Sequence, residues 1–297
     1  MVLKRILSLK MPRTDEANRP AQFYTQTEDG LYFWWTKWLV TDEEVTDDET
    51  TENPETPDVE EPEEETPEGG TDEEITYMTF DLSENGDGSV LAVADGAGWG
   101  TTNTITISGD GPIRDFTEDD PSPFTDIGNT YELVIEDGVS RIGARAFYHA
   151  SISELIVPES VKSFGQLSFY QCRNLERVTM GDSVVLIDAG AFQACTSLTE
   201  ITLSSGLYTI QDGAFIGTPL TTITIPALCS YVGASAFQLC TSMVSCYIDR
   251  ASGSAFTAGT NAFDFQAEGA TIYVHGDDIT ASLTDAYDKY VTAVTLY

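Results

Sequence analysis

The stretch Val184-Val-Leu-Ile-Asp-Ala-Gly-Ala-Phe-Gln-Ala-Cys-Thr-Ser-Leu-Thr-Glu-Ile-Thr-Leu203 decides the fold, because its pattern returns along the chain. A small residue followed by an aromatic stands at Ala146-Phe147, Ser168-Phe169, Ala191-Phe192, Ala214-Phe215, Ala236-Phe237 and Ala262-Phe263, with Phe-to-Phe spacings of 22, 23, 23, 22 and 26. Five residues before the first five Phe come Ile142, Phe164, Ile187, Ile210 and Val232, and three before those come Val139, Val161, Val184, Leu207 and Cys229. Self-similarity at this period is the mark of stacked structural units.

After the Phe comes a segment of form L-x-x-[IV]-x-[ILM] in three of the units, Leu175-Glu-Arg-Val-Thr-Met180, Leu198-Thr-Glu-Ile-Thr-Leu203 and Leu220-Thr-Thr-Ile-Thr-Ile225. The closing alternation is that of a strand with one buried face. One unit cannot bury its apolar edge alone, so stacking must place Val178, Ile201 and Ile223 on adjacent rungs of a parallel ladder, with the Phe residues in a second interior column. The predicted fold is a β-rich repeat solenoid with short helical or irregular turns.

The alternation also sorts the outward side chains. Val134, Ile156, Thr179, Thr202, Thr224, Tyr247 and Tyr273 fall in one row on the exposed sheet face, with Glu132, Glu154, Arg177, Glu200, Thr222, Ser245 and Thr271 along its edge. Glu154, Arg177 and Glu200 should be neighbours about 4.8 Å apart, the ordinary reading being a lateral ion-pair row. Tyr247 and Tyr273 are better suited to a ligand, since aromatics give contact area with few torsions to freeze. The candidate ligand-binding set is Ile156, Thr179, Thr202, Thr224, Tyr247 and Tyr273, with Arg177 beside it, for a protein or glycan.

These residues resemble the BspA-like leucine-rich repeat family of bacterial surface proteins, with Val184 to Leu203 as a consensus rung and Val-Pro or Ile-Pro corners at Pro158 and Pro226. Thr104 to Phe116, Ser122-Pro-Phe124 and Val134 to Val139 are similar to the family's β-rich N-terminal cap; Ala270 to Val274 followed by Leu283 to Tyr290 is similar to its closing strand and short helix. The resemblance covers about residues 75 to 297 and implies binding or adhesion. Ala150 departs from the Cys of other rungs, and Ala251 to Phe256 lengthens the last one.

Five regions follow: an aromatic N-terminal anchor (1–41), an acidic linker (42–74), a β-rich N-terminal cap (75–135), the repeats (136–270) and a C-terminal cap (271–297). Of 297 residues, 49 are acidic and 14 basic, a formal net charge of −35 that repels nucleic acid and anionic lipid surfaces alike. Asp42 to Glu74 holds 18 of the carboxylates, no Lys or Arg, and Pro54, Pro57, Pro62 and Pro67, the composition of a disordered spacer. If extended it reaches on the order of 100 Å.

Residues 1–41 are too few to bury a core. They carry Tyr32, Phe33, Trp34, Trp35 and Trp38 as candidate docking residues, to be covered by a larger assembly, a second copy or the solenoid, with the assembly preferred. Met1 to Lys10 shows no apolar run of signal-peptide length, and Leu31 to Val40, interrupted by Lys37, is far short of the roughly 20 residues of a membrane span.

The chemistry-bearing residues have bland explanations. Cys172, Cys195 and Cys240 each lie three residues after a rung Phe, as small buried side chains would, and no CxxC suggests zinc. His149 and His275 sit in no triad-like motif. Asp81-Leu-Ser-Glu-Asn-Gly-Asp-Gly88 begins like a calcium loop but has Ala92 at the twelfth position, so a hairpin turn is preferred. Gly96-Ala-Gly-Trp-Gly100 has no flanking helix pattern for a nucleotide. No catalytic residue, cofactor or metal is expected. The sequence points first to a tethered fibre or decoration component of a phage virion, second to a bacterial cell-surface adhesin, third to an intracellular scaffold.

Overall fold

The computed structural model describes residues 23–26, 32–35, 77–95, 103–125, 127–250, 255–275, 283, 285–287 and 291–296. The chain divides into two units, Met1–Thr71 and Asp72–Tyr297. In the first, β1 (Phe23–Gln26) and β2 (Tyr32–Trp35) form an antiparallel hairpin with Phe23 opposite Trp35 and Gln26 opposite Tyr32. Four of the five candidate docking residues thus lie on β2; Trp38 and the whole acidic linker fall outside the described residues.

In the second unit the chain winds into coils, each with an outer strand, a two- to four-residue inner strand and a turn-rich segment carrying the Phe. The outer strands are β7 (Glu132–Ile135), β9 (Glu154–Val157), β11 (Arg177–Met180), β13 (Glu200–Thr202), β15 (Thr222–Ile225), β17 (Ser245–Asp249) and β19 (Ala270–His275). Their inward residues, among them Leu155, Val178, Ile223, Cys246 and Ile272, are buried, save Ile201 on β13, which is partly buried. The inner strands are β8 (Val139–Ile142), β10 (Ser163–Phe164), β12 (Leu186–Ile187), β14 (Thr209–Ile210), β16 (Tyr231–Val232) and β18 (Thr257–Ala258), and with Gly111–Pro112 (β6) they form one unbroken seven-stranded parallel sheet.

The Phe rings form the interior column that the spacing predicts. Successive centroids from Phe147 to Phe263 lie 4.9, 5.4, 5.5, 5.1 and 5.8 Å apart, with planes within 15° of parallel, and all six rings are fully buried. The small residue before each Phe has a hydrogen-bonding reason as well as a steric one. Its carbonyl accepts the amide of the preceding coil's Phe, as in Phe169 N to Ala191 O, Phe192 N to Ala214 O and Phe215 N to Ala236 O, each 2.8 Å. Left-handed residues flank the ring on both sides, Gly190 (φ 63) and Ala194 (φ 60) around Phe192, Leu167 (φ 56) and Gln171 (φ 55) around Phe169. Coils approach so closely that a Cβ on Gly165 would lie 2.5 Å from the amide nitrogen of Ala144.

Two expectations need correction, and a third is only partly described. The outer ladder is not continuous: β9, β11 and β13 form one sheet and β15, β17 and β19 belong to another, so Val178 pairs with Ile201 while Ile201 and Ile223 share no ladder. Both interruptions fall before coils in which the path from Phe to strand is one residue shorter. Phe147–Glu154 and Phe215–Thr222 stand against the longer Phe169–Arg177, Phe192–Glu200 and Phe237–Ser245, so each break coincides with the loss of one residue.

Second, the short helix expected over Leu283 to Tyr290 lies largely outside the described residues, which hold a 3-10 turn at Leu283 and a turn at residues 285–286. Ala286 N bonds Leu283 O, as Ala191 N bonds Asp188 O, and Phe263 N bonds Ala286 O, so Ala286-Tyr287 takes the small-aromatic place of another coil. Third, Ala270–His275 is not the last strand, because β20 (Val291–Leu296) pairs parallel to it.

At the other end, β3 (Tyr77–Asp81), β4 (Val90–Asp95) and β5 (Thr104–Gly109) run antiparallel to one another, and β5 then joins β7 in parallel. Phe124 stacks on Phe147 at 5.4 Å and 12°, extending the ring column.

All five cysteines are buried free thiols. Those three residues after a Phe bond across coils: Cys172, Cys195 and Cys240 donate from Sγ to the carbonyls of Phe147, Phe169 and Phe215 at 3.1, 3.1 and 3.3 Å. Burial pushes the thiols of Cys229 and Cys240 up to about 11. Unfolded thiols ionise from about pH 8.5, so above that the native state holds more protons and its stability falls as pH rises toward 11. The urea midpoint should therefore drop between pH 8 and pH 10.5, and by less in a Cys229→Ala/Cys240→Ala variant. An equal drop in both would show that these thiols are not responsible.

Candidate functional site

The outward row forms where the sequence places it, within the broken ladder. Ile156, Thr179 and Thr202 face out in register on β9, β11 and β13, with Ile156 63% exposed. Thr224, Tyr247 and Tyr273 continue in register on β15, β17 and β19, and the two tyrosine rings stack at 5.0 Å and 15°. Both rings are half-buried, each shielding one face of the other, which fixes their orientation before any ligand arrives.

At the edge, Arg177 bridges its neighbours. Its Nε donates to Glu200 Oε2 at 2.8 Å and its Nη1 lies 3.6 Å from Glu154 Oε1. Glu200 first, then Glu154, raise the guanidinium's pKa above its ordinary value. The whole triad is exposed, so it contributes little to stability. A guanidinium held between two carboxylates is also poorly placed to receive a third, which separates Arg177 from the tyrosines as a ligand contact.

The Asp81 to Gly88 segment closes on itself. The Asp81 carboxylate accepts from Ser83 N at 2.9 Å and Gly88 N at 3.1 Å, and Asp87 accepts from Ser89 N at 2.9 Å, as hairpin turns do. Backbone and hydroxyl hydrogen bonds on its acceptors, those from Ser89 first, lower the pKa of Asp87. Among the described residues no three His, Cys, Asp or Glu side chains gather as a metal site, and no helix is long and apolar enough to cross a membrane. Gly96 to Gly100 lies outside them.

Two features escaped the sequence reading. A cleft of about 310 Å³ opens at the turn before β11, lined by His149, Ala150, Ser151, Gln171, Arg173 and Asn174. The signal available for it was a lone Arg-Asn pair at a corner where the next coil has Thr196-Ser197. Arg250 is buried, 7% exposed, and clamps the lengthened coil; its mark in the sequence is a charge where the strand pattern turns into Ala251 to Phe256.

Several known proteins are similar to this chain. A T. pallidum leucine-rich repeat protein is 26% identical with a TM-score of 0.37; the match covers 43% of this chain and 60% of that one, so less than two thirds of its length is spanned. A leucine-rich repeat protein from Bacteroides ovatus is 17% identical over 75% of each chain, with a TM-score of 0.38. A leucine rich cell surface protein from Faecalibacterium prausnitzii is 22% identical over 67% of this chain and 70% of that one, with a TM-score of 0.26. No curated protein sequence matches the chain. The profile of the BspA type leucine rich repeat region matches six copies over residues 120–244. With the stacked Phe column and parallel coils observed directly, that match identifies residues 120–244 as a BspA type leucine rich repeat region.

Proposed function

We propose that the repeat region is a non-enzymatic binding module displayed at a bacterial cell surface, whose protein or glycan ligand lies along the outward row and is anchored on Tyr247 and Tyr273. The observation that carries this reading is the stacked tyrosine pair on adjacent parallel strands. Rigid aromatics on a sheet lose little entropy on binding, and such residues contribute disproportionately to interface energy. The upstream threonines give a flat polar continuation. The virion placement that the aromatic head and acidic linker first suggested draws no support from the family match, and the surface adhesin therefore takes precedence over it and over an intracellular scaffold.

The test uses the full chain on immobilised extracellular-matrix proteins and a glycan array, beside a Tyr247→Ser/Tyr273→Ser variant with an unchanged melting midpoint. Binding should weaken at least about tenfold, equivalent to 1.4 kcal/mol. Unchanged binding would remove the tyrosine row. Protease shaving of intact cells should release peptides from residues 75–297, and their persistent absence would count against surface display.

A further inference from the structure

We infer that the cleft before β11 is a second, separate binding site, and that it takes the carboxylate-bearing ring of an acidic sugar, with Arg173 receiving the carboxylate. The charge distribution singles out Arg173. Among the described residues Arg114 pairs with Asp120, Arg141 with Asp115 at 2.7 Å, Arg145 with Glu118 at 2.9 Å and Arg177 with Glu154 and Glu200, while both Nη atoms of the buried Arg250 donate to backbone carbonyls. Arg173 is exposed, and among the described residues its Nη2 donates to the amide oxygen of Gln171 at 3.0 Å. In a chain of net charge −35, a guanidinium with no carboxylate in ion-pair range leaves one donor edge of its planar fork for an anion from outside.

That guanidinium is also aimed. Gln171 Nε2 donates to the Tyr170 hydroxyl at 2.9 Å, and the Tyr170 ring stacks on Tyr148 at 5.0 Å and 18°. The Arg145 guanidinium sits 5.0 Å over the far ring, itself tied to Glu118. A chain of contacts across two coils thus orients the amide that orients Arg173, the arrangement that lowers the entropic cost of capturing a ligand.

The lining selects a sugar over other carboxylates. At about 310 Å³ the cleft is at the small end of ligand sites, room for one ring and not for an extended peptide. Its wall is about half polar and half apolar, the mixture that a sugar ring itself presents. Asn174 Nδ2 donates to Ser151 Oγ at 2.8 Å and Thr130 Oγ1 at 3.3 Å, and those two hydroxyls lie 3.2 Å apart, giving a row of groups with spare capacity for ligand hydroxyls. A single guanidinium matches one carboxylate better than a doubly charged phosphate. Arg173 stands on the approach to β11, whereas Tyr247 and Tyr273 stand on β17 and β19, so this site does not depend on the tyrosine row.

The experiment titrates the full chain with the methyl glycosides of N-acetylneuraminic acid and glucuronic acid, the methyl ester of the first, methyl galactoside, and a short Asp-containing peptide, by ligand-observed NMR or calorimetry. At least one acidic glycoside should bind saturably, with affinity falling about ten- to hundredfold in Arg173→Gln and partly recovered in Arg173→Lys. The ester and the galactoside should bind far more weakly. Because the ester removes the charge from the ligand, it tests the pairing without altering the protein. Equal binding of ester and acid, an unaltered Arg173→Gln variant, preference for the peptide, or binding by neither acidic glycoside would each overturn the assignment. Tyr247→Ser/Tyr273→Ser should bind the acidic glycoside normally, which keeps failure of this site distinct from failure of the strand face.

Discussion

Phe192→Ala should destabilise the second unit by about 3–5 kcal/mol, the range for emptying a well-packed aromatic site. Phe192 stacks on Phe169 at 5.4 Å and on Phe215 at 5.5 Å, and the edge of Phe164 meets it at 5.2 Å and 63°. Its truncation therefore strips contacts from three other rings, and the cavity cannot collapse because backbone hydrogen bonds on either side fix the coil spacing. Since each coil is stabilised through its neighbours, the loss falls on the coupling between two halves of the column. Urea unfolding should show a lower midpoint and a broader transition, with Phe192→Leu intermediate. A loss below about 1 kcal/mol would mean that the ring column is not the main adhesive between coils.

Arg250→Met is expected to cost about as much, roughly 3–5 kcal/mol, though it substitutes an apolar side chain for a buried cation. The usual argument that buried ion pairs can be replaced by hydrophobic residues fails here, because the partners are main chain. Nη1 donates to Cys229 O at 2.6 Å and Ala227 O at 3.4 Å, Nη2 donates to Ala255 O at 2.8 Å, and the guanidinium lies 5.1 Å over the Phe256 ring. Methionine would strip the donors from all three carbonyls, leaving the buried one of Cys229 without a partner, and no compensating mutation can delete a carbonyl. Lysine should not rescue, since one ammonium cannot span both sides of the fork. Thermal melts of Arg250→Met and Arg250→Lys would check this; a Met variant as stable as the wild type would show that the clamp is dispensable.

Much of this architecture was legible. The Phe period gave the interior column, and the alternation in Leu175 to Met180 gave the outward face, because both signals recur often enough to be read by counting. The inner sheet was only half legible: most of its strands are two residues long, too short for a period-two pattern, and showed only as the apolar residues five before each Phe. The ladder breaks were present in the sequence as the two 22-residue spacings, since the missing residue in each lies between Phe and strand.

Phe124 stands 23 residues before Phe147, but Pro123 in place of a small residue disguised it. Tyr287 was masked in the same way by helix-forming neighbours. Left-handed conformations at Arg145, Leu167 and Gln171 could not be read, because nothing in those side chains favours positive φ; the coil imposes it. For the candidate site, the register of the row followed from alternation, whereas the cleft at Arg173 depends on contacts between three successive coils that no local pattern encodes.

The hydrogen bonds that tie each Phe to the coil beyond it repeat without change across Phe169, Phe192 and Phe215. An in-frame duplication or deletion of the 23 codons from one Phe to the next would bring identical donors and acceptors together at the new junction. Recombination between these segments of the gene could thus lengthen or shorten the protein by one strand spacing, about 4.8 Å, while leaving every surviving partner in place. The coil held by Arg250 has no such freedom, and marks where variation in repeat number should stop.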